Sequence, residues 1–200
     1  MLFFGIIATV FMIITNGDFM IMVKKILLTL VMSGFVVTQA ASINTKKSEF
    51  NWLGTKVTGK HLGTIKAQSG NVEIKDDKIV GGKVVIDMST INVTDLTGDY
   101  KKKLENHLKS DDFFNVKKYS TAVLSIKKVY SSTIVADLMI RGKTNKIELP
   151  YERKGNTITG EMVFDRSKYD IKYSSGSFFS DLGDKLIHDD VKITYKLVLE

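Results

Sequence analysis

One stretch of this chain, Asp99–Tyr119 (DYKKKLENHLKSDDFFNVKKY), carries its apolar residues at helical spacing, whereas the chain on either side alternates apolar and polar residues like β-strands. A single helical insert in an otherwise antiparallel chain predicts a sheet closed on itself with a cap over one end. Closure removes the exposed strand edges, and a mid-sized closed sheet holds a ligand inside.

Phe50 and Trp52 share one parity. Ile65 and Ala67, then Val72 and Ile74, form two strand pieces around Ser69-Gly70-Asn71, with a turn at Asp76-Asp77. Val84, Ile86 and Met88 alternate after Gly81-Gly82, a pair that predicts a bulge. Beyond the insert come Val123 to Ile126, then Ile134, Ala136, Leu138 and Ile140. A loop follows at Arg141–Asn145, and a short strand at Lys146–Leu149 is ended by Pro150. Lys154-Gly155-Asn156 predicts a hairpin turn; Ile158, Met162 and Phe164 share a parity, and Ile171 and Tyr173 form another short piece. After a loop over Ser174–Asp184, Val191, Ile193, Tyr195, Leu197 and Leu199 alternate without fault. The fold class is all-β: an eight-stranded antiparallel barrel of the lipocalin-like kind with one helical cap insert at about 99–114. Within the insert, Asp95, Thr97 or Asp99 is the expected cap, Tyr100, Leu104 and Leu108 form one apolar stripe, and Glu105 pairs with Lys109.

The first forty residues do not share this pattern. Met22-Val-Lys-Lys is a positive n-region, Ile26–Val37 an apolar h-region, and Thr38-Gln39-Ala40 a small-residue cleavage site. Residues 1–40 are therefore expected to be a secretory signal cut near Ala40, with 1–21 upstream of the true start at Met20 or Met22. The rival reading is an uncleaved anchor, but each apolar run falls short of the ~20 residues a spanning helix needs. Residues 41–200 are expected to be one domain, periplasmic or secreted. The chain has no Cys, so neither a disulfide nor a lipid-bearing thiol is available. The net charge of +7 is carried by scattered lysines, with Lys101–Lys103 as the sole run of three. Spread lysines on strands read as a solvated face rather than a nucleic-acid surface.

Four patches carry a resemblance: Trp52–Gly63 (WLGTKVTGKHLG), Gly82–Ile91 with its Val-Ile-Asp-Met-Ser, His107–Tyr119 (HLKSDDFFNVKKY) and Phe164–Tyr173 (FDRSKYDIKY). In this order and spacing they resemble the YceI-like family of exported bacterial proteins. The resemblance implies a lipocalin-like barrel with a long apolar cavity that binds polyisoprenoid-type lipids or similar amphiphiles, with no enzymatic activity established across the family. Two residues depart from the family pattern: Ser120 stands where Pro is frequent, and Asp170 where Gly is common.

Candidate wall residues are Trp52, Ile86, Met88, Leu138, Ile140, Phe164, Ile171 and Tyr173, with Leu104, Phe113 and Phe114 from the cap. The plainer alternative is that these side chains fill a solid core. His61 lies in a family patch and is the candidate for a ligand head group. Arg166 either meets a phosphate or pairs with Asp165. His61, His107 and His188 lack metal-ligand spacing, and the pairs Asp76-Asp77, Asp111-Asp112 and Asp189-Asp190 suit turns or caps better than acid–base work. No nucleophile elbow, phosphate loop or dinucleotide fingerprint is present. The expected function is binding or carrying a long amphiphilic lipid such as a polyisoprenoid or quinone, with no cofactor beyond that lipid. The rivals are an enzyme acting on such a lipid and a domain with a filled core. Transient membrane contact and pairing of two copies are compatible with the sequence.

Overall fold

A computed structural model describes residues 38–200 of the chain. The expected signal up to Val37 lies outside the described residues, while Gln39 and Ala40 already belong to the first strand. The strands are β1 (Gln39–Ser42), β2 (Glu49–Lys56), β3 (Gly59–Lys75), β4 (Lys78–Val93), β5 (Thr121–Val129), β6 (Thr133–Ile140), β7 (Lys143–Lys154), β8 (Thr157–Asp165) and β9 (Ile187–Val198); helix α1 (Gly98–Lys109) joins β4 to β5.

Strand order β3-β2-β9-β8-β7-β6-β5-β4 closes through a β3–β4 ladder, all antiparallel. The nine strands fill eight places. β1 and β2 follow one another along the same edge of β3, with Ala41 opposite Val72 and Trp52 opposite Gly63. This is the eight-stranded antiparallel closed barrel with one helix that the alternation predicts.

The alternation works where the ladder is regular. Ile134, Ala136, Leu138 and Ile140 are each buried, and the residues between them are partly exposed. It fails where the ladder is irregular. Ile65 to Ile74 is one continuous strand, not two pieces, because a bulge between Ala67 and Ser69, with Gln68 as the extra residue, bends it without breaking it. The bulge read into Gly81-Gly82 sits one residue earlier: Gly81 faces Glu73 and Ile79 faces Ile74, so Val80 is the extra residue.

Pro150 does not end a short strand. β7 runs through it, starting already at Lys143. Pro150 is the last partner of β6, and Tyr151 is the first of β8, so the residue without an N–H stands where the strand changes neighbours. Ile171 and Tyr173 form no strand; they follow a 3-10 turn over Arg166–Tyr169.

Helix α1 begins after Thr97, which makes no side-chain cap bond. Leu104 and Leu108 face inward, but Tyr100 is 79 % exposed and does not extend their stripe. Glu105 pairs with Lys101 (3.6 Å) rather than Lys109, and accepts the Val93 N–H at 2.8 Å, which ties the helix to the end of β4. At the opposite end Asp76 and Asp77, both at positive φ, make a tight turn, and Arg153 donates to the Asp77 carbonyl at 2.6 Å, pinning the β3–β4 hairpin to β7.

Candidate functional site

The barrel encloses a cavity of about 240 Å³. Its far end is made by Val72, Ile79, Ile134, Leu149, Ile158 and Leu197. The middle is walled by Phe50, Ile65, Val84, Ile86, Leu124, Ile126, Leu138, Met162, Ile193 and Tyr195. Towards the helix stand Trp52, Met88, Ile91, Ala122, Ile140, Phe164 and Val191, beneath Leu104, Leu108, Phe113 and Phe114.

Polar atoms in this wall are turned away or occupied. The Trp52 indole N–H donates to the Thr64 carbonyl at 3.3 Å, and the Tyr195 hydroxyl to the Pro150 carbonyl at 3.0 Å. Burial pushes the Tyr195 phenol up to about 12, so it stays neutral at any ordinary pH. Trp52 fits because Gly63 lies opposite it: a Cβ at Gly63 would stand 2.2 Å from the indole and 2.1 Å from the Asn92 carbonyl. A residue without a side chain is what lets the ring lie flat there.

The mouth opens beside α1, between the end of β2 and the start of β9. Thr55, Lys56, His61, Ile187 and His188 form its lip. The Thr55 hydroxyl and His188 Nδ1 lie 2.8 Å apart. His61 Nδ1 lies 2.9 Å from Asp95, which also accepts the Leu62 N–H at 3.0 Å. Slight burial pushes the Asp95 carboxyl up, but the Leu62 N–H and His61 outweigh it and hold its pKa below the ordinary carboxylate value. His107 is wedged edge-on between Phe113 (5.0 Å) and Tyr173 (4.5 Å).

Arg166 borders the cavity but has no free donor face. Nε donates to the His188 carbonyl (3.2 Å), Nη1 to those of Ile171 and Tyr173 (3.1 and 3.0 Å), and Nη2 to that of Ile187 (3.0 Å). Nη2 also lies 3.1 Å from the Asp189 carboxylate. The ion pair is therefore with Asp189, not Asp165; Asp165 instead accepts the Ser167 N–H at 2.9 Å and caps the 3-10 turn. Burial pulls the Arg166 pKa down, opposed by Asp189 and Asp165.

Of the candidate site residues, Trp52, His61, Ile86, Met88, Leu104, Phe113, Phe114, Leu138, Ile140, Phe164 and Arg166 border this space. Ile171 and Tyr173 do not. Ile171 is fully buried where its carbonyl receives Arg166, and Tyr173 edges a separate surface hollow with Asp111, Asp112 and Arg141. The pattern reading missed Leu108, Ala122, Met162, Val191, Ile193, Tyr195 and Leu197 as wall residues; β9 supplies four of them, and its unbroken alternation was the available signal.

Residues 35–199 match the YceI-like domain family. The chain belongs to that family. Among solved structures, this YceI-like protein is similar to BcnA of Burkholderia cenocepacia (19 % identity, TM-score 0.59, covering 78 % of this chain and 98 % of that one). It is also similar to a polyisoprenoid-binding domain from Saccharophagus degradans implicated in plant cell wall breakdown (17 % identity, TM-score 0.55, 80 % and 97 %). Both likenesses are likenesses of fold. A UPF0312 protein of Staphylococcus aureus strain USA300 is 29 % identical over 131 residues, 60 % of this chain and 71 % of that protein. Of the two departures from the family pattern, Asp170 has φ 64°, a left-handed conformation that explains a preference for Gly there and that Asp tolerates. Ser120 accepts the Met88 N–H through its carbonyl (2.9 Å), a bond that Pro would also permit.

Proposed function

We propose that this protein binds or carries a long amphiphilic lipid, of polyisoprenoid, quinone or similar type, with the tail inside the barrel and the head group at the lip formed by Thr55, Lys56, His61 and His188. The observation that carries the reading is the wall itself: from Val72 and Ile79 at one end to Leu104 and Phe113 at the other it is hydrocarbon, with its few polar atoms already bonded. Hydrocarbon leaves water at about 0.8 kcal/mol per CH₂. A chain of several prenyl units gains a gross ~10–20 kcal/mol, much of it offset by lost translational and internal freedom. The fold shared with a polyisoprenoid-binding domain supports the same class of ligand.

Binding is favoured over catalysis. Thr55 and His188 have the spacing of a nucleophile and a base, but among the described residues no carboxylate hydrogen-bonds the second His188 nitrogen. His61 and Asp95 hold each other at the rim. The protein is proposed to act outside the cytoplasm after its signal is removed. Cutting after Ala40 leaves the Ala41–Val72 and Ser42–Asn71 pairings of β1 in place.

The test is organic extraction of protein purified from its producing cells, with mass spectrometry of the extract and N-terminal sequencing of the protein. A near-stoichiometric isoprenoid-type lipid and a start at Ala41 are expected. An empty extract, together with no uptake of added polyprenols or quinones, overturns the lipid reading; an intact leader overturns the export reading.

A further inference from the structure

Two adjacent phenylalanines, Phe178 and Phe179, stand 43 % and 51 % exposed on the loop between the 3-10 turn and β9. Their exposure is built in. Both backbone N–H groups donate to the Ser175 carbonyl (3.1 and 3.0 Å), and Ser175 is fully buried with its hydroxyl donating to Asp189 at 2.8 Å. The loop is bonded to the cavity mouth. Ile187, a lip residue, donates to Ser174 at 2.9 Å, and Val57 donates to Leu186 at 3.2 Å. Val57 is itself 54 % exposed, on the β2–β3 turn between the exposed Lys56 and Lys60. Lys172 Nζ lies 5.2 Å from the centre of the Phe178 ring, and Lys185 is exposed on the same loop. Asp181 and Asp184 share the loop, Asp170 pairs with Lys172 at 3.0 Å, and Phe179 shares a surface hollow with Asp111, Asp112 and Arg141, so the rim carries charges of both signs. At the other end the hairpin tips are Asp76-Asp77, Ser131-Ser132 and Gly155-Asn156; Val80 and Tyr130 are the exposed apolar residues there.

Aromatic rings standing in water at the rim of an apolar cavity, interleaved with lysines, match the chemistry of a bilayer interface. Rings settle at the headgroup level and ammonium groups meet phosphates. We propose that the Phe178–Phe179 loop and the Val57 turn form a docking rim that inserts into the headgroup region of a phospholipid bilayer and opens the barrel mouth onto it. An amphiphile then passes between bilayer and barrel without crossing water. Docking stands on the rim alone; the passage of an amphiphile rests on the function proposed above.

The absence of cysteine allows a single nitroxide label to be placed at S180C, beside Phe179, or at S131C on the far end as a control. The apolar stretches before Val37 can themselves hold the full chain on vesicles, so the readout is depth at the label and not the bound fraction. On vesicles of phosphatidylethanolamine with a minority of phosphatidylglycerol, the label at 180 is expected to gain oxygen accessibility and lose nickel-chelate accessibility several-fold, while the label at 131 stays in water. F178S/F179S, with unchanged thermal stability, is expected to return position 180 to its solution value. A label at 180 that remains in water on vesicle-bound protein overturns the proposal. So does spin–spin broadening at 180 without vesicles, which assigns the rim to a second copy. Lipid extracted from the cavity together with a water-exposed label defeats the docking rim alone; an immersed label on a barrel that takes up no lipid defeats the lipid reading alone.

Discussion

Arg166 lies 3.1 Å from Asp189, a charged pair set into the rim of a hydrocarbon cavity. Its guanidinium also stands 5.7 Å from the centre of the Phe113 ring. With its remaining N–H groups on four backbone carbonyls, one side chain fixes the 3-10 turn, residues 171–173 and the start of β9 against one another. Arg166→Leu removes the cation beside Asp189 Oδ1, leaving that carboxylate only the Ser175 and Ser177 hydroxyls on its other oxygen, and strips four carbonyls of their donor; it is expected to cost about 3–5 kcal/mol. Urea unfolding measures it. Arg166→Lys, with a point charge in place of a planar fork, is expected to recover only part of the loss. An Arg166 that served solely to meet a ligand head group would leave stability unchanged.

Gly63 and Trp52 make a second dependence. Gly63→Ala places a methyl group about where the indole and the Asn92 carbonyl already are. Since neither the ring nor the strand can yield freely, a loss on the order of 2 kcal/mol or more is expected. Gly54→Ala, on the same strand pair with open space at its Cβ, is the control and is expected to be near neutral. Equal effects in the two variants would mean that β-strand glycines are interchangeable here, and the packing argument would fail.

The regular strands were legible because period-2 burial writes itself into the chain: β6 and β9 read correctly from alternation alone. β3 reads as two pieces because its bulge at Gln68 reverses parity between Ala67 and Val72, which looks like a turn when the partner strand is unseen. Pro150 reads as a strand end because a missing N–H is tolerated only where the ladder is interrupted, and the change of partner from β6 to β8 is a tertiary fact. The four family patches hold fewer than half of the cavity-lining residues, among them Trp52, Met88, Phe113 and Phe164; most of the rest lie on β5 to β9, outside the patches. Arg166–Asp189 left no local signal: the two residues are brought together by the turn between them, and the adjacent Asp165 was the nearer but wrong partner.

Ala122 is a small wall residue near the cap. Ala122→Phe is expected to fill part of the 240 Å³ space, and to reduce uptake of a fluorescent polyprenol by on the order of 10-fold while leaving the thermal midpoint unchanged or raised. Leu138→Trp and Ile140→Trp, deeper and nearer the cap on β6, are expected to act alike. Undiminished uptake in all three variants would place the ligand outside the barrel.

Tyr169 and Tyr195 link stability to alkaline pH. Burial pushes both phenols from 10.0 up to about 12. An acid whose folded pKa lies above its unfolded value ionises first in the unfolded chain. Stability is therefore unaffected at neutral pH and falls as pH rises from about 10 towards 12, by on the order of 1 kcal/mol per unit or less for each group after solvent screening. At neutral pH the two part company. Tyr169 is 1 % exposed and its hydroxyl makes no hydrogen bond; the Asn145 amide, which donates to the Lys168 carbonyl (3.1 Å), stands near enough to lower its pKa against burial but is not bonded to it. The Tyr195 hydroxyl is bonded to Pro150. Tyr169→Phe is thus expected to be neutral or stabilising by up to ~1 kcal/mol at pH 7, and Tyr195→Phe to cost about 1 kcal/mol. Both should flatten the alkaline decline. Thermal midpoints at neutral pH and through the alkaline range decide the matter; a Tyr169→Phe variant that loses stability at neutral pH would show that its hydroxyl is bonded after all.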